Sequence, residues 1–367
     1  MPFRTEHVGS LLRPAALREA RRDFAAGAID AEALRAAEDD AVLAALRAQD
    51  AIGIDVVTDG EFRRADFRAG LAAAVTGLRE EVFDRAWRSG DSEVTVKSRV
   101  WRVEGPVTQT APIAADEAAF LASNASVPFK VTLPSPGYVA ERFFDPGTYA
   151  PYASVAELAE TFVRILGDEI AALVELGVPY VQLDNPGYAT FLDGRARTRL
   201  SAKGRDPDRA FREMLAADRA LLESVPREHG TTYALHVCRG NNASSWQHEG
   251  DYDPVAEELF GSLPVDRLLL EYDDERSGGF ECLRFVPAGT VAVLGLISTK
   301  VATVESPTAL LRRLGQASAY IDADRLALSP QCGFATHADG ANAVATDAQY
   351  AKLAVAVETA HRFFDGR

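Results

Sequence analysis

The sequence predicts an α/β fold, a (β/α)8 TIM barrel with an inserted hairpin and helical arm after strand two. Three observations predict it. Eight short apolar runs are bounded by turn residues, helical stretches separate most of them, and no G-x-G-x-x-G follows the first run to suggest an open dinucleotide-binding sheet.

The strand candidates are 3–9, 54–59, 128–134, 179–184, 231–238, 267–272, 290–297 and 325–330. The clearest helix places Val155, Leu158, Phe162, Leu166, Ile170 and Leu173 three or four residues apart and stops at Gly177. Residues 31–51, 206–224, 306–319 and 346–364 read as helices in the same way. The span 61–125 is too long for one strand–helix unit. Within it V-T-V-K-S-R-V-W-R-V alternates apolar and polar residues, the pattern of a hairpin strand. The expectation is one domain over 1–367 carrying this insertion.

Composition narrows the function. A formal charge of −15 argues against a nucleic-acid backbone or an anionic membrane surface as the main partner. No apolar run reaches the ~18–20 residues needed to cross a bilayer. The opening M-P-F-R-T-E-H-V-G-S has no apolar secretory core, so a cytoplasmic location is expected. The cysteines, at 238, 282 and 332, are too sparse for a disulfide frame and read as ligands, a nucleophile or buried fillers.

Chemistry-bearing residues fall at the C-terminal ends of predicted strands, where barrel enzymes keep their sites. His236 and Cys238 close the fifth strand, Glu271 closes the sixth, and Cys332 follows the eighth in S-P-Q-C-G. Residues i and i+2 of a strand share a face, so His236 and Cys238 can hold one ion together. H-x-C alone is more often packing than ligation. What singles out His236, Cys238, Glu271 and Cys332 is that all four occupy the same predicted rim. Cys282 has no such position and reads as structural. Nitrogen and soft sulfur ligands favour Zn2+ over Mg2+ or Ca2+. Two thiolates and a carboxylate more than neutralise the ion and make it a poor generator of hydroxide. It remains able to deprotonate an incoming thiol, with Glu271 the ligand expected to yield its place.

With these residues in view, the chain resembles the cobalamin-independent methionine synthase family, in particular its short single-barrel members. H-V-C, L-L-L-E-Y and S-P-Q-C-G resemble the family's zinc segments. H-V-G-S resembles the segment that holds the amino-acid carboxylate, which implies Ser10. D-G-E and Y-V-Q-L-D-N-P resemble the segments whose carboxylates bind the homocysteine ammonium, which implies Glu61 and Asp184.

The chain also departs from the family pattern. Asn185 stands where an acidic residue follows the strand-four aspartate, and Thr190 replaces a folate-binding glutamate. T-L-P-S-P-G-Y lacks the pterin-stacking tryptophan, and Lys300 falls where the catalytic histidine follows strand seven. Lys300 is expected to contact an anionic donor or, with its pKa lowered by burial, to act as an acid. His7 and His337 are lesser catalytic candidates, and Tyr138 and Phe334 are candidate donor-pocket aromatics.

The resemblance implies a zinc-dependent S-methyltransferase whose partners are a small thiol, homocysteine first, and a methyl donor that these departures leave open. Alkyl transfer to another thiol, from an epoxide or a corrinoid or xenobiotic methyl donor, is the second reading. A non-catalytic zinc-binding barrel is the third.

Overall fold

The structure is a computed structural model that describes residues 3–89, 92–145, 147, 151–227, 230–338 and 342–365. The alternating segment forms the second half of an antiparallel hairpin, β1 (Val75–Ser89) paired with β2 (Ser92–Gln109). The remaining strands are β3 (Val131–Pro134), β4 (Tyr180–Asp184), β5 (Thr232–Val237), β6 (Arg267–Glu271), β7 (Val291–Ile297) and β8 (Leu326–Pro330). They make one parallel sheet in chain order, each within a few residues of its predicted position.

The first two predicted strands are corrected. Segments 3–9 and 54–59 flank the sheet as single parallel bridges, Thr5 to Leu328 and Val57 to Phe129, rather than as ladders. The reason is a change of hydrogen-bond partner. Asp55 Oδ2 accepts from the backbone N–H of Arg4 at 2.7 Å and of Thr5 at 2.8 Å, donors that a ladder would otherwise use. Thr58 Oγ1 donates to the Gly9 carbonyl at 2.7 Å, and Leu11 N–H donates to the Gly60 carbonyl at 3.0 Å. Side-chain bonds, with the one backbone bond from Leu11 to Gly60, therefore join the two segments where strand pairing was expected. Overall the architecture is of the α/β barrel type.

The helix Val155–Glu175 shows how pattern becomes packing. Ser154 caps it by accepting from Glu157 N–H at 3.2 Å, and Gly177 ends it with φ +80°. Leu158, Phe162, Leu166, Ile170 and Leu173 are fully buried along one face. Inside the sheet, Val8, Val56, Ala234, Leu269, Val293 and Ala327 form a separate apolar layer.

Below that layer the floor is ionic. Glu6 accepts from Lys130 Nζ at 2.7 Å, Arg267 Nε at 2.8 Å and the Tyr180 hydroxyl at 2.9 Å, and Lys130 also donates to Gln182 Oε1 at 2.7 Å. Burial alone would raise the Glu6 pKa, but Lys130 and Arg267 outweigh it and hold the carboxyl down at about 2.

The hairpin reaches back over the opposite, C-terminal end of the sheet. Arg88 and Trp246 exchange two backbone hydrogen bonds of 2.8 Å, so the far end of the hairpin is clamped to the loop after β5. The Trp246 ring receives the guanidinium of Arg88 at 5.2 Å and that of Arg276 at 4.4 Å.

Candidate active site

A cavity of about 1170 Å3 lies between the C-terminal ends of the strands and the hairpin. Ser10, Glu61, Asp184, His236, Cys238 and Cys332 all line it. The ligating atoms of His236, Cys238 and Cys332 lie within 4.8 Å of one another. His236 and Cys238 come from one face of the end of β5, and Cys332 comes from the turn after β8. Both ring nitrogens of His236 are buried without a hydrogen-bond partner. A buried imidazole left unsatisfied on both sides is costly unless something further binds it. The donor set therefore fits a thiophilic cation.

The two thiols shift each other in opposite directions. Hydrogen bonding to Cys332 is the largest influence on Cys238 and draws its pKa well down, helped by His236, while the same contact and burial push Cys332 up.

Glu271 stands outside this three-residue group. Its carboxylate accepts from Arg239 N–H at 2.5 Å and from Arg276 Nη2 and Lys300 Nζ at 3.3 Å each. Lys300 is held from behind, 2.8 Å from Asp273, and does not line the cavity. Burial opposes its charge, yet Glu271 and Asp273 prevail and raise its pKa, the reverse of the lowering expected from burial.

The amino-acid end of the cavity is built on close backbone approaches. Gly60 and Glu61 both adopt left-handed backbone, φ +70° and +56°, in a turn where Asp59 Oδ1 accepts from Glu61 N–H at 2.8 Å. This turn carries the Glu61 carboxylate to Gly9, so close that a methyl group at Gly9 would overlap Oε1. Thr132 Oγ1 donates to the same oxygen at 2.9 Å. Gly333 allows a similar approach, since a methyl there would overlap Ser10 Oγ, which donates to the Ala335 carbonyl at 2.8 Å. Asp184 accepts from Gln182 Nε2 at 2.7 Å. Burial raises its pKa to about 7 despite the opposing pull of His236, with Glu61 adding to the rise.

The remaining sequence candidates separate cleanly. Tyr138, Thr190 and His337 line the cavity, whereas Phe334 is fully buried away from it. His7 is also buried away from it, bonded to Gln49 at 2.8 Å. Asn185 turns to Asp218, donating at 2.7 Å, and does not line the cavity. Cys282 is buried against the Tyr272 hydroxyl at 2.9 Å, as a structural cysteine would be.

Sequence reasoning missed the basic wall on the hairpin side, where Arg85, Arg142 and Arg199 line the cavity. Its trace was present in G-R-A-R-T-R and in D-R-A-W-R, obscured by a net charge of −15.

Comparison with known proteins decides the family. The profile described as "Cobalamin-independent synthase, Catalytic domain" matches residues 3–361. The chain belongs to the cobalamin-independent methionine synthase family. It is 36% identical to YxjH of Bacillus subtilis, an uncharacterized protein, over 98% of this chain and 94% of that one. It is 27% identical to the methionine synthase of Sulfurisphaera tokodaii over 90% and 85% of the two chains. A B12-independent methionine synthase from Shewanella sp. W3-18-1 shares the fold with a TM-score of 0.76, covering 100% of this chain and 98% of that one at 22% identity. Membership in this family supports a homocysteine methyltransferase function.

Proposed function

We propose that the protein transfers a methyl group to the sulfur of homocysteine, with zinc held by His236, Cys238 and Cys332. The observation that carries this reading is the convergence of those three ligands in the wall of the same cavity as Glu61, Asp184 and Ser10. Bound there, zinc would supply the charge that keeps a coordinated thiol in its thiolate form.

The protein's own side chains do the rest. Glu61 and Asp184 offer carboxylates to the ammonium group, and the Ser10–Gly333 approach receives the amino-acid carboxylate. Their joint effect is to hold the sulfur at the end of the cavity where the donor methyl enters, and such orientation is worth up to ~7–11 kcal/mol in the best cases. Glu271, fixed by Arg239, Arg276 and Lys300, sits as a reserve carboxylate behind the ligands and is the group expected to approach the ion when no thiol is bound. Lys300 thereby acts as a positioning residue for Glu271. A storage barrel would have little use for a cavity that reaches all three ligands.

The test is metal analysis combined with a thiol titration. The protein should carry about one zinc and bind homocysteine with release of a proton. A thiol lacking the ammonium group should bind more weakly. Cys332→Ser should lose both metal and homocysteine; a variant that keeps both removes Cys332 from the ligand set and overturns this reading.

A further inference from the structure

The cavity's second wall is unusual in what it lacks. Most of its charged groups are matched. Arg68 pairs with Asp66 at 2.8 Å, Arg99 with Glu80 at 3.0 Å and Arg88 with Glu249 at 3.5 Å. Arg195 pairs with Glu249, and Arg205 with Glu141. Arg85, Arg142 and Arg199 have no carboxylate partner among the described residues, although each lines the cavity; Arg142 instead hydrogen-bonds the Tyr138 side chain.

These three guanidiniums come from distant parts of the chain. Arg85 lies on β1 of the hairpin, Arg142 near the end of the helix Pro136–Phe143, and Arg199 in the helix Gly194–Ala202. The neutral amide oxygen of Gln247 accepts from Arg85 Nε at 2.7 Å in the orientation that satisfies both groups. Burial, then Arg142, Arg68 and Arg199, push the Arg85 pKa down to about 9. A guanidinium keeps its proton at neutral pH, so the cluster retains positive charge that no carboxylate among the described residues pairs with. Concentrating like charges around a cavity is unfavourable in the empty protein and becomes favourable when an anion enters.

We propose that Arg85, Arg142 and Arg199 form an anion-binding subsite that holds an oxyanion group, carboxylate or phosphate, of the second substrate. The assignment of that substrate as the methyl donor rests on the function proposed above; the anion site itself does not. The subsite would anchor the donor by a charged group remote from its methyl, while Tyr138 and Thr190 line the space between. Fork-shaped guanidiniums suit either oxyanion, since both present paired oxygens to bidentate donors.

Calorimetric titration of the full-length protein at low ionic strength tests this, with inorganic phosphate and with glutarate as separate probes. The wild type should bind at least one, and the tighter of the two identifies the class of oxyanion. Arg85→Gln/Arg142→Gln should weaken that binding about tenfold or more, with homocysteine binding retained. Arg199→Gln, an exposed change that should not impair folding, provides a second measure and should show a smaller loss. The proposal is overturned if neither probe binds the wild type at millimolar concentration, or if the folded variants bind as the wild type does. Anion binding that persists while homocysteine fails to bind would sink the thiol-methylation reading alone.

Discussion

At the floor of the barrel Glu6, Lys130, Arg267, Tyr180 and Gln182 saturate one another with hydrogen bonds of 2.7–2.9 Å. At the other end of the same sheet His236 has two unpartnered nitrogens, and three arginines face the cavity without a carboxylate partner among the described residues. The floor buries its polar groups completely, whereas the other end combines a buried His236 with arginines that are half-buried or, at Arg199, exposed. In the first, the desolvation cost is offset within the chain, and the network serves stability. In the second the described residues supply no such partner, which fits the cation proposed at His236 and the anion proposed at the arginine wall. Buried polarity alone therefore does not mark a site; polar groups gathered on one cavity without a counter-charge do.

The largest effect should come from breaking the floor. Glu6→Gln leaves Lys130 and Arg267 buried without their counter-ion and should cost about 3–5 kcal/mol, measured by denaturant unfolding. The pH dependence of the floor follows from the same carboxyl. Its folded pKa of about 2 lies below the ordinary 4.5, so its contribution is fully present above 4.5 and is lost as pH falls towards 2. The wild type should therefore lose stability across that acid window, and Glu6→Gln should lose much less.

Next in size is the proposed cation site. Cys238→Ser should abolish metal retention and lower methyl transfer more than ~100-fold, beyond the effect usual for loss of an outer-sphere partner. The same variant should unfold close to the wild-type denaturant midpoint when both are metal-free. A large loss of stability in the metal-free state would place Cys238 with the floor instead.

A smaller effect is expected at the amino-acid end. Gly333→Ala places a methyl against Ser10 Oγ and should raise the KM for the thiol about tenfold, with metal content preserved. Unchanged KM would show that Ser10 has no part in holding the carboxylate. The smallest change should be in stability at the arginine wall. Arg142→Gln removes a charge that has no carboxylate partner among the described residues and a single hydrogen bond to Tyr138, so it should alter unfolding free energy by no more than ~1 kcal/mol. A loss approaching that of Glu6→Gln would mean that the wall is structural.

The six ladder-forming strands and the rim position of His236, Cys238 and Cys332 were legible because local pattern carries them. Short apolar runs and i, i+2 spacing survive in any compact packing of the chain. The segments 3–9 and 54–59 were misread as ladder strands because their apolar pattern does not show that Asp55 intercepts the donors of Arg4 and Thr5. Glu271 was legible as a rim carboxylate. Its capture by Arg239, Arg276 and Lys300 was not, and neither was the rise in the Lys300 pKa that follows. Both depend on which charges meet across loops.

What the sequence determined by itself is therefore the barrel's strand order, its hairpin insertion and the residue types available at its rim. Only the tertiary structure decided which of those residues have partners. Pattern follows from neighbours a few positions apart, whereas charge compensation is set by groups such as Glu6 and Arg267, which are 261 residues apart and meet only in the folded chain. The same holds for Arg85, Arg142 and Arg199, whose shared cavity exists only once the hairpin has closed over the sheet.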